Sequence, residues 1–224
     1  MPNLFPGHTP LHQVNLVIHV LFGTVALALG LAAIVSPKRR GLHTRAGMLF
    51  IYAYLVVVTT ASIGLAVFEF RSFLTVVTIL SIYDVFSGYR ALTLRGRRPQ
   101  RVDRIVSGIG LLTPWIFLAA MRRLHQPWAP ALTWSILGGL IAVSSYDLLR
   151  NVLPIEWLRR TWVQEHLYKM MSAYIAITSA FAGTVFAAYM PWAAILPSVI
   201  GTCVSVGFLI AGPRAWKGST RTTA

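Results

Sequence analysis

The sequence predicts an all-α fold, a polytopic transmembrane helical bundle of seven spans with the N-terminus outside and the C-terminus in the cytoplasm. Of the 224 residues, 56% are hydrophobic and only 12% are charged, against about 25% charged residues in an average soluble domain. The apolar residues lie in long runs, and the basic residues lie between those runs. A soluble core of this chain length could not cover so much apolar surface, so lipid is the expected solvent.

The first three predicted spans come from long runs with few charges. Residues 14–35 contain 22 uncharged residues, and about 20 residues of helix cross a hydrocarbon layer of about 30 Å. A basic connector leads to a second charge-free run, and a short turn at 69–72 leads to a third run that contains Asp84. We therefore predict spans over 12–35, 46–68 and 73–94.

The remaining four predicted spans are separated by basic or proline-containing segments. The fourth holds Pro114. A proline leaves a backbone carbonyl of the preceding turn without its helical hydrogen bond, and neighbouring helices can satisfy that carbonyl in a membrane. Residues 150–164 carry two tryptophans and are predicted to form an interfacial connector, and Pro191 is predicted to end the sixth span. We predict these spans over 105–121, 131–149, 167–190 and 193–211, and a single domain over 1–224.

The basic residues predict the orientation of the bundle. Seventeen of the twenty Lys and Arg residues fall on one side of the predicted membrane, and only Arg71, Arg122 and Arg123 fall on the other. Because cytoplasmic loops carry the excess of Lys and Arg, the basic side is expected to face the cytoplasm, in the inner (plasma) membrane. Orientation thus accounts for the net charge of +14, and we expect the lipid bilayer, and no nucleic acid, as the partner. Self-association and an unidentified small-molecule ligand stay open.

Asp84 is the first candidate functional residue, because it lies near the middle of the third predicted span. A carboxylate at the bilayer centre costs about 2.5–3.5 kcal/mol on insertion scales, so it needs a partner, water or a proton. It could be a proton carrier or a ligand contact, or its carboxyl group could form a structural hydrogen bond. The pair Tyr83-Asp84 recurs as Tyr146-Asp147, which either a parallel internal repeat or chance would produce.

His43 and His166 are predicted to lie near the cytoplasmic boundary, in the same layer as Asp147 and Glu165. Two imidazoles with a carboxylate could hold a divalent metal such as zinc, with His43, His166 and Asp147 as ligands, and two facing imidazoles could hold haem b. Solvated histidines at a membrane interface would give the same pattern. On the first span, His19 lies in a stripe of small and polar residues, which is typical of a contact between helices and could also contribute to an outer metal site.

Four groups of residues carry a resemblance to a known family: His19 with Gly23; Gly41-Leu42-His43 with Gly47; Ser87-Gly88-Tyr89-Arg90-Ala91-Leu92; and His166 with Met170, Tyr174-Ile175-Ala176 and Ala180-Phe181. The chain resembles an uncharacterised family of bacterial multi-pass membrane proteins over most of its length. Similar proteins often have an arginine directly after the loop histidine, whereas here Thr44 precedes Arg45. The resemblance implies a helical bundle with His19, His43 and His166 as candidate cofactor-binding positions.

Three functions stay open on the sequence. The first is a metal- or haem-binding redox or electron-transfer component that uses His43 and His166. The second is a small proton-coupled transporter that uses Asp84. The third is an intramembrane zinc hydrolase in which the metal activates water, although no catalytic base can be assigned. Since Cys203 is the only cysteine, one chain has neither an internal disulfide nor a cysteine-based zinc site.

Overall fold

A computed structural model describes residues 7, 9–37, 41–125 and 130–219, with backbone only at 131 and 212–219. These residues form seven α-helices and contain no strand, which confirms the predicted all-α fold. The helices are α1 (Pro10–Val35), α2 (Leu42–Ile63), α3 (Ser72–Leu94), α4 (Arg101–Arg123), α5 (Pro130–Leu149), α6 (Ile155–Val185) and α7 (Trp192–Ser219). A π-helical turn, Gly64–Phe68, extends α2, and a 3₁₀ turn, Ala187–Tyr189, follows α6.

Six of these helices are long and apolar enough to cross a membrane: α1, α2 with its π-helical turn, α3, α4, α5 and α7. Their surfaces expose large apolar side chains such as Leu21, Ile116 and Leu196, each at least 60% exposed. Such surfaces are compatible with contact to lipid, and they support the prediction of transmembrane helices.

The helix α6 is long enough to cross a membrane, but unlike the other six it has no stretch that is apolar enough. It begins at Ile155, so most of the segment predicted as an interfacial connector is already helical. Proline lacks the N–H that the first turn leaves unpaired, so Pro154 fits directly before this helix. The carbonyl oxygen of Pro154 accepts hydrogen bonds from the backbone N–H groups of Trp157 and Leu158. The polarity of α6 comes partly from Glu165 and Lys169, which are both buried.

The contacts within the described residues group into two compact units, divided between Thr78 and Ile79 inside α3. In the first unit α1 and α2 pack as a hairpin, with Ala26 and Gly30 buried on one helix and Ala46 and Ala53 on the other. Small residues let two helix backbones approach closely where the surrounding lipid gives no hydrophobic drive to associate.

The second unit contains most of α3 and all of α4 to α7. Its core includes Tyr83 from α3 with Leu140 and Val143 from α5. The helices α6 and α7 also share a hydrogen bond between the hydroxyl groups of Ser179 and Ser198, at 3.0 Å. This packing places the polar faces of α3, α5 and α6 in the interior of the unit.

Candidate functional site

The histidines of the first unit join α1 to α2. His19 Nδ1 lies 2.9 Å from Thr60 Oγ1, and the Thr60 hydroxyl itself donates to the carbonyl of Val56 at 2.8 Å. The threonine oxygen therefore accepts from the imidazole. Asn15 donates to the carbonyl of Thr60 at 3.1 Å. His43 Nδ1–H donates to the carbonyl of Ala33 at 2.9 Å, and so satisfies a carbonyl that the end of α1 leaves without a helical partner.

His166 belongs to the second unit, where its Nδ1–H donates to the carbonyl of Gly88 at 2.9 Å. It therefore ties α6 to α3. No group of three or more His, Cys, Asp or Glu residues in the part of the chain that the structure describes could hold a metal ion. The metal site of His43, His166 and Asp147 and a haem between two of the histidines stay predictions.

The structure instead gathers a buried ionic network around Asp147 in the second unit. Lys169 Nζ donates to Asp147 Oδ1 at 2.5 Å, and the Tyr83 hydroxyl donates to Asp147 Oδ2 at 2.9 Å. The Tyr83 oxygen also lies 3.2 Å from Ser107 Oγ. Asp147 is 5% exposed and Lys169 is 1% exposed. Side chains from α3 and α6 therefore meet at the Asp147 carboxylate of α5, and α4 joins the network through Ser107 and Tyr83.

A second arm of the network surrounds Glu165. Arg150 Nε lies 3.1 Å from Glu165 Oε2, and Arg150 Nη1 lies 3.6 Å from Asp147 Oδ1. Glu165 Oε1 accepts hydrogen bonds from the Tyr146 hydroxyl at 2.7 Å and from the Thr161 hydroxyl at 3.0 Å. The two buried cations thus balance the two carboxylates, which a low-dielectric site requires.

Asp84 lies beside this balanced network and adds a third carboxyl group. It is 0% exposed, and neither of its carboxylate oxygens has a hydrogen-bond partner among the described residues. The hydroxyl of Ser172 faces it without a well-formed hydrogen bond. Lys169 and Tyr168 from α6 and Asp147 from α5 lie near enough to act on it electrostatically. Among the described residues Asp84 has no cation of its own, because Lys169 and Arg150 are paired with Asp147 and Glu165.

A small cavity borders this network. It is lined by Tyr83 and Asp147 and by Arg90 and Asp103, which pair with Arg90 Nε 2.5 Å from Asp103 Oδ1 near the end of α3 and the beginning of α4. The free space holds about one water molecule, whereas pockets for organic ligands run to about 300–1,000 Å³. Its size therefore suits water, a proton or a small ion.

Two central residues of the network, Lys169 and Arg150, have no role in the sequence-based site. By sequence both belong to the basic residues of the predicted cytoplasmic side, whereas both are buried in the structure. Lys169 could have been identified, because it lies inside a predicted span, where a charged side chain is a candidate functional residue by default. Arg150 lies at a predicted span end and carries no such signal.

The packing around Tyr83 yields a prediction for Gly110 of α4. A methyl group there would lie 2.6 Å from Tyr83 Cε2 and 3.2 Å from Ser144 Cβ, and Tyr83 can move away only by losing its bond to Asp147. Gly110→Ala is expected to lower the free energy of unfolding by about 1–3 kcal/mol, measured by denaturant titration in detergent micelles. The matched control is Gly108→Ala in the same helix, where nothing lies within 4 Å of the added carbon. The control should be neutral or slightly stabilising, and equal losses in both variants would contradict the tight packing.

No family model matches the sequence, and neither a curated protein nor a solved structure matches it.

Proposed function

We propose that the chain is a proton-translocating integral membrane protein, a small transporter in which Asp84 binds and releases the proton. In this proposal all seven helices cross the inner membrane, with the N-terminus outside and the basic side in the cytoplasm. The 31 residues of α6 give about 46 Å of helix, more than the hydrocarbon layer requires. Its polarity is no obstacle to spanning, because Glu165 and Lys169 face partners inside the second unit.

The observation that carries the proposal is the isolation of Asp84. A carboxyl group that is fully buried without a hydrogen-bond partner is costly to keep charged, and an acid at this depth of a span marks a proton or ion pathway by default. Proton binding forms an O–H bond on one carboxylate oxygen and leaves the group neutral. Release breaks that bond, the electron pair stays on the oxygen, and the negative charge then faces the ammonium group of Lys169.

The surrounding network supports an exchange of charge between two carboxylates. The single ammonium of Lys169 bonds to Asp147 and also acts on Asp84. When Asp84 is neutral, Lys169 balances Asp147 alone; when Asp84 is charged, the ammonium is shared. Arg150 lies 3.6 Å from the same oxygen of Asp147. Its positive charge can balance the Asp147 carboxylate while Lys169 is shared with Asp84. The cavity beside Asp147 has room for about one water molecule, which could carry the proton to or from the network.

The test is proton flux in proteoliposomes under an imposed membrane potential, followed with an internal pH-sensitive dye. Asp84→Asn keeps the shape of the side chain but removes the titrating group, and it should lower the flux by at least about tenfold. The matched control is Glu156→Gln, an equal change at an exposed residue of α6, which should leave the flux at the wild-type level. Wild-type flux no greater than in protein-free liposomes, or full flux in Asp84→Asn, would overturn the proposal.

A further inference from the structure

The loop between α3 and α4 and the loop between α5 and α6 are joined at one end of the second unit. Arg98 Nη1, from the loop between α3 and α4, donates to the carbonyls of Asn151 and Leu153 at 2.6 and 3.1 Å. The backbone of Gly96 lies against the first turn of α6, so closely that a Cβ atom would stand 2.6 Å from Arg159 Cα. The loop end is therefore a fixed surface built from both connections.

This surface collects exposed arginines, and we call it the basic end. Its members are Arg95, Arg97, Arg98, Arg101, Arg104, Arg159 and Arg160. The guanidinium groups of Arg97 and Arg98 donate some of their hydrogen bonds to backbone carbonyls. The side chains of the other five arginines make no hydrogen bond or ion pair within the described residues. Nearby acid cannot neutralise them, because Asp103 is bound by Arg90 and Glu156 is a single exposed carboxylate.

The residue types at the basic end indicate a phosphate ligand. All seven cations are arginines, whose planar guanidinium groups bind phosphate oxygens in pairs and hold water less tightly than an ammonium does. Rigid loops also lower the entropic cost of presenting these side chains together.

The neighbouring surface indicates that the phosphate belongs to a lipid. Val102 and Ile105 are exposed on the first turns of α4, and the indole of Trp157 is half exposed on the first turn of α6. Apolar side chains and an exposed tryptophan beside a row of cations are typical of the boundary between acyl chains and headgroups. A free phosphate ion has no acyl chain to place on such a surface, whereas an acidic phospholipid has both parts.

We propose that the basic end binds the headgroup phosphates of acidic phospholipids, with Arg159 and Arg160 as central contacts. Clustered basic residues beside the end of a membrane helix attract acidic lipids. The site is separate from Asp84, and it does not depend on proton transport.

The experiment compares lipid retention between matched variants. Purified protein is reconstituted in nanodiscs of phosphatidylglycerol and phosphatidylcholine, released into mild detergent, and the retained lipids are counted by native mass spectrometry. The wild type should retain phosphatidylglycerol over phosphatidylcholine. Arg159→Gln with Arg160→Gln should lower this preference by about tenfold. Arg122→Gln with Arg123→Gln removes an equal charge from an exposed arginine pair at the other end of α4 and should leave the preference unchanged.

Three outcomes would overturn the proposal. The first is no preference for the acidic lipid in the wild type, and the second is an equal loss in both double variants. The third is displacement of the retained lipid by millimolar inorganic phosphate, which would assign the arginines to a free anion. Thermal unfolding of each variant shows whether a loss of lipid reflects a loss of fold. Proton flux should persist in the Arg159→Gln and Arg160→Gln variant, so failure here leaves the role of Asp84 standing.

Discussion

Replacing Lys169 with Met is expected to lower the free energy of unfolding by about 3–5 kcal/mol. Methionine fills a similar volume but removes the ammonium that bonds to Asp147 at 2.5 Å. The carboxylate would then be left in an interior where Asp147 is 5% exposed, with Tyr83 as its one remaining close donor and Arg150 at 3.6 Å. Equilibrium unfolding in mixed micelles measures the loss, with Arg123→Met, a change at an exposed cation, expected within about 0.5 kcal/mol of the wild type.

A second substitution separates the loss of charge balance from the loss of packing. In the double variant Lys169→Met with Asp147→Asn, no unpaired charge remains, so most of the lost stability should return. If the double variant is as unstable as the single one, the ammonium contributes through its packing rather than through Asp147. Complete stability in Lys169→Met alone would mean that the ion pair is not formed.

The second large effect is expected at Gly96, in the loop that joins α3 to α4. Its φ angle is +77°, a region where an L side chain costs about 1–2 kcal/mol. A Cβ atom would also stand 2.6 Å from Arg159 Cα and 2.8 Å from the carbonyl oxygen of Leu158. These contacts are with backbone, so they cannot be relieved by rotation of a side chain. Gly96→Ala is therefore expected to cost about 2–5 kcal/mol of unfolding free energy.

The matched control for Gly96 isolates the clash from the backbone strain. Gly7 has a similar φ of +88°, with nothing within 4 Å of an added Cβ atom, so Gly7→Ala should show only the conformational part of the cost. Both variants are measured by the same unfolding assay. Similar small losses in the two would show that the loop does not press on α6.

The sequence predicted the helices well because a membrane helix is specified locally. A run of about 20 apolar residues can be recognised as a membrane helix without knowledge of the helices that it packs against. The beginning of α6 was harder, because its first turns carry Arg159, Arg160 and Glu156 and read as a connector by hydropathy. These three side chains are exposed, and their charges lower the hydropathy of a segment that is nevertheless helical.

The site was only partly predictable, because the residues that form it lie far apart along the chain. Asp84 could be identified alone, since one acid within an apolar run is conspicuous. The bond from Tyr83 to Asp147 joins residues 64 positions apart, and nothing in either local sequence specifies the other. His19, His43 and His166 each have a ring nitrogen hydrogen-bonded to a backbone carbonyl or a hydroxyl, and their role in cofactor binding stays a prediction.

The polarity of α6 has a consequence for how the nascent chain enters the membrane. On the proposed topology, a lone α6 would carry the charges of Glu165 and Lys169 into the membrane without partners, which costs free energy. Their partners Asp147, Tyr146 and Arg150 lie on α5 or directly after it and are synthesised before α6. The helix α6 therefore has to leave the translocon next to helices that are already in the membrane. The first of these to be available is α5, because only a short connection joins it to α6. On the proposed topology, insertion of α6 thus depends on the order in which its charge partners are synthesised as well as on the order of the hydrophobic segments.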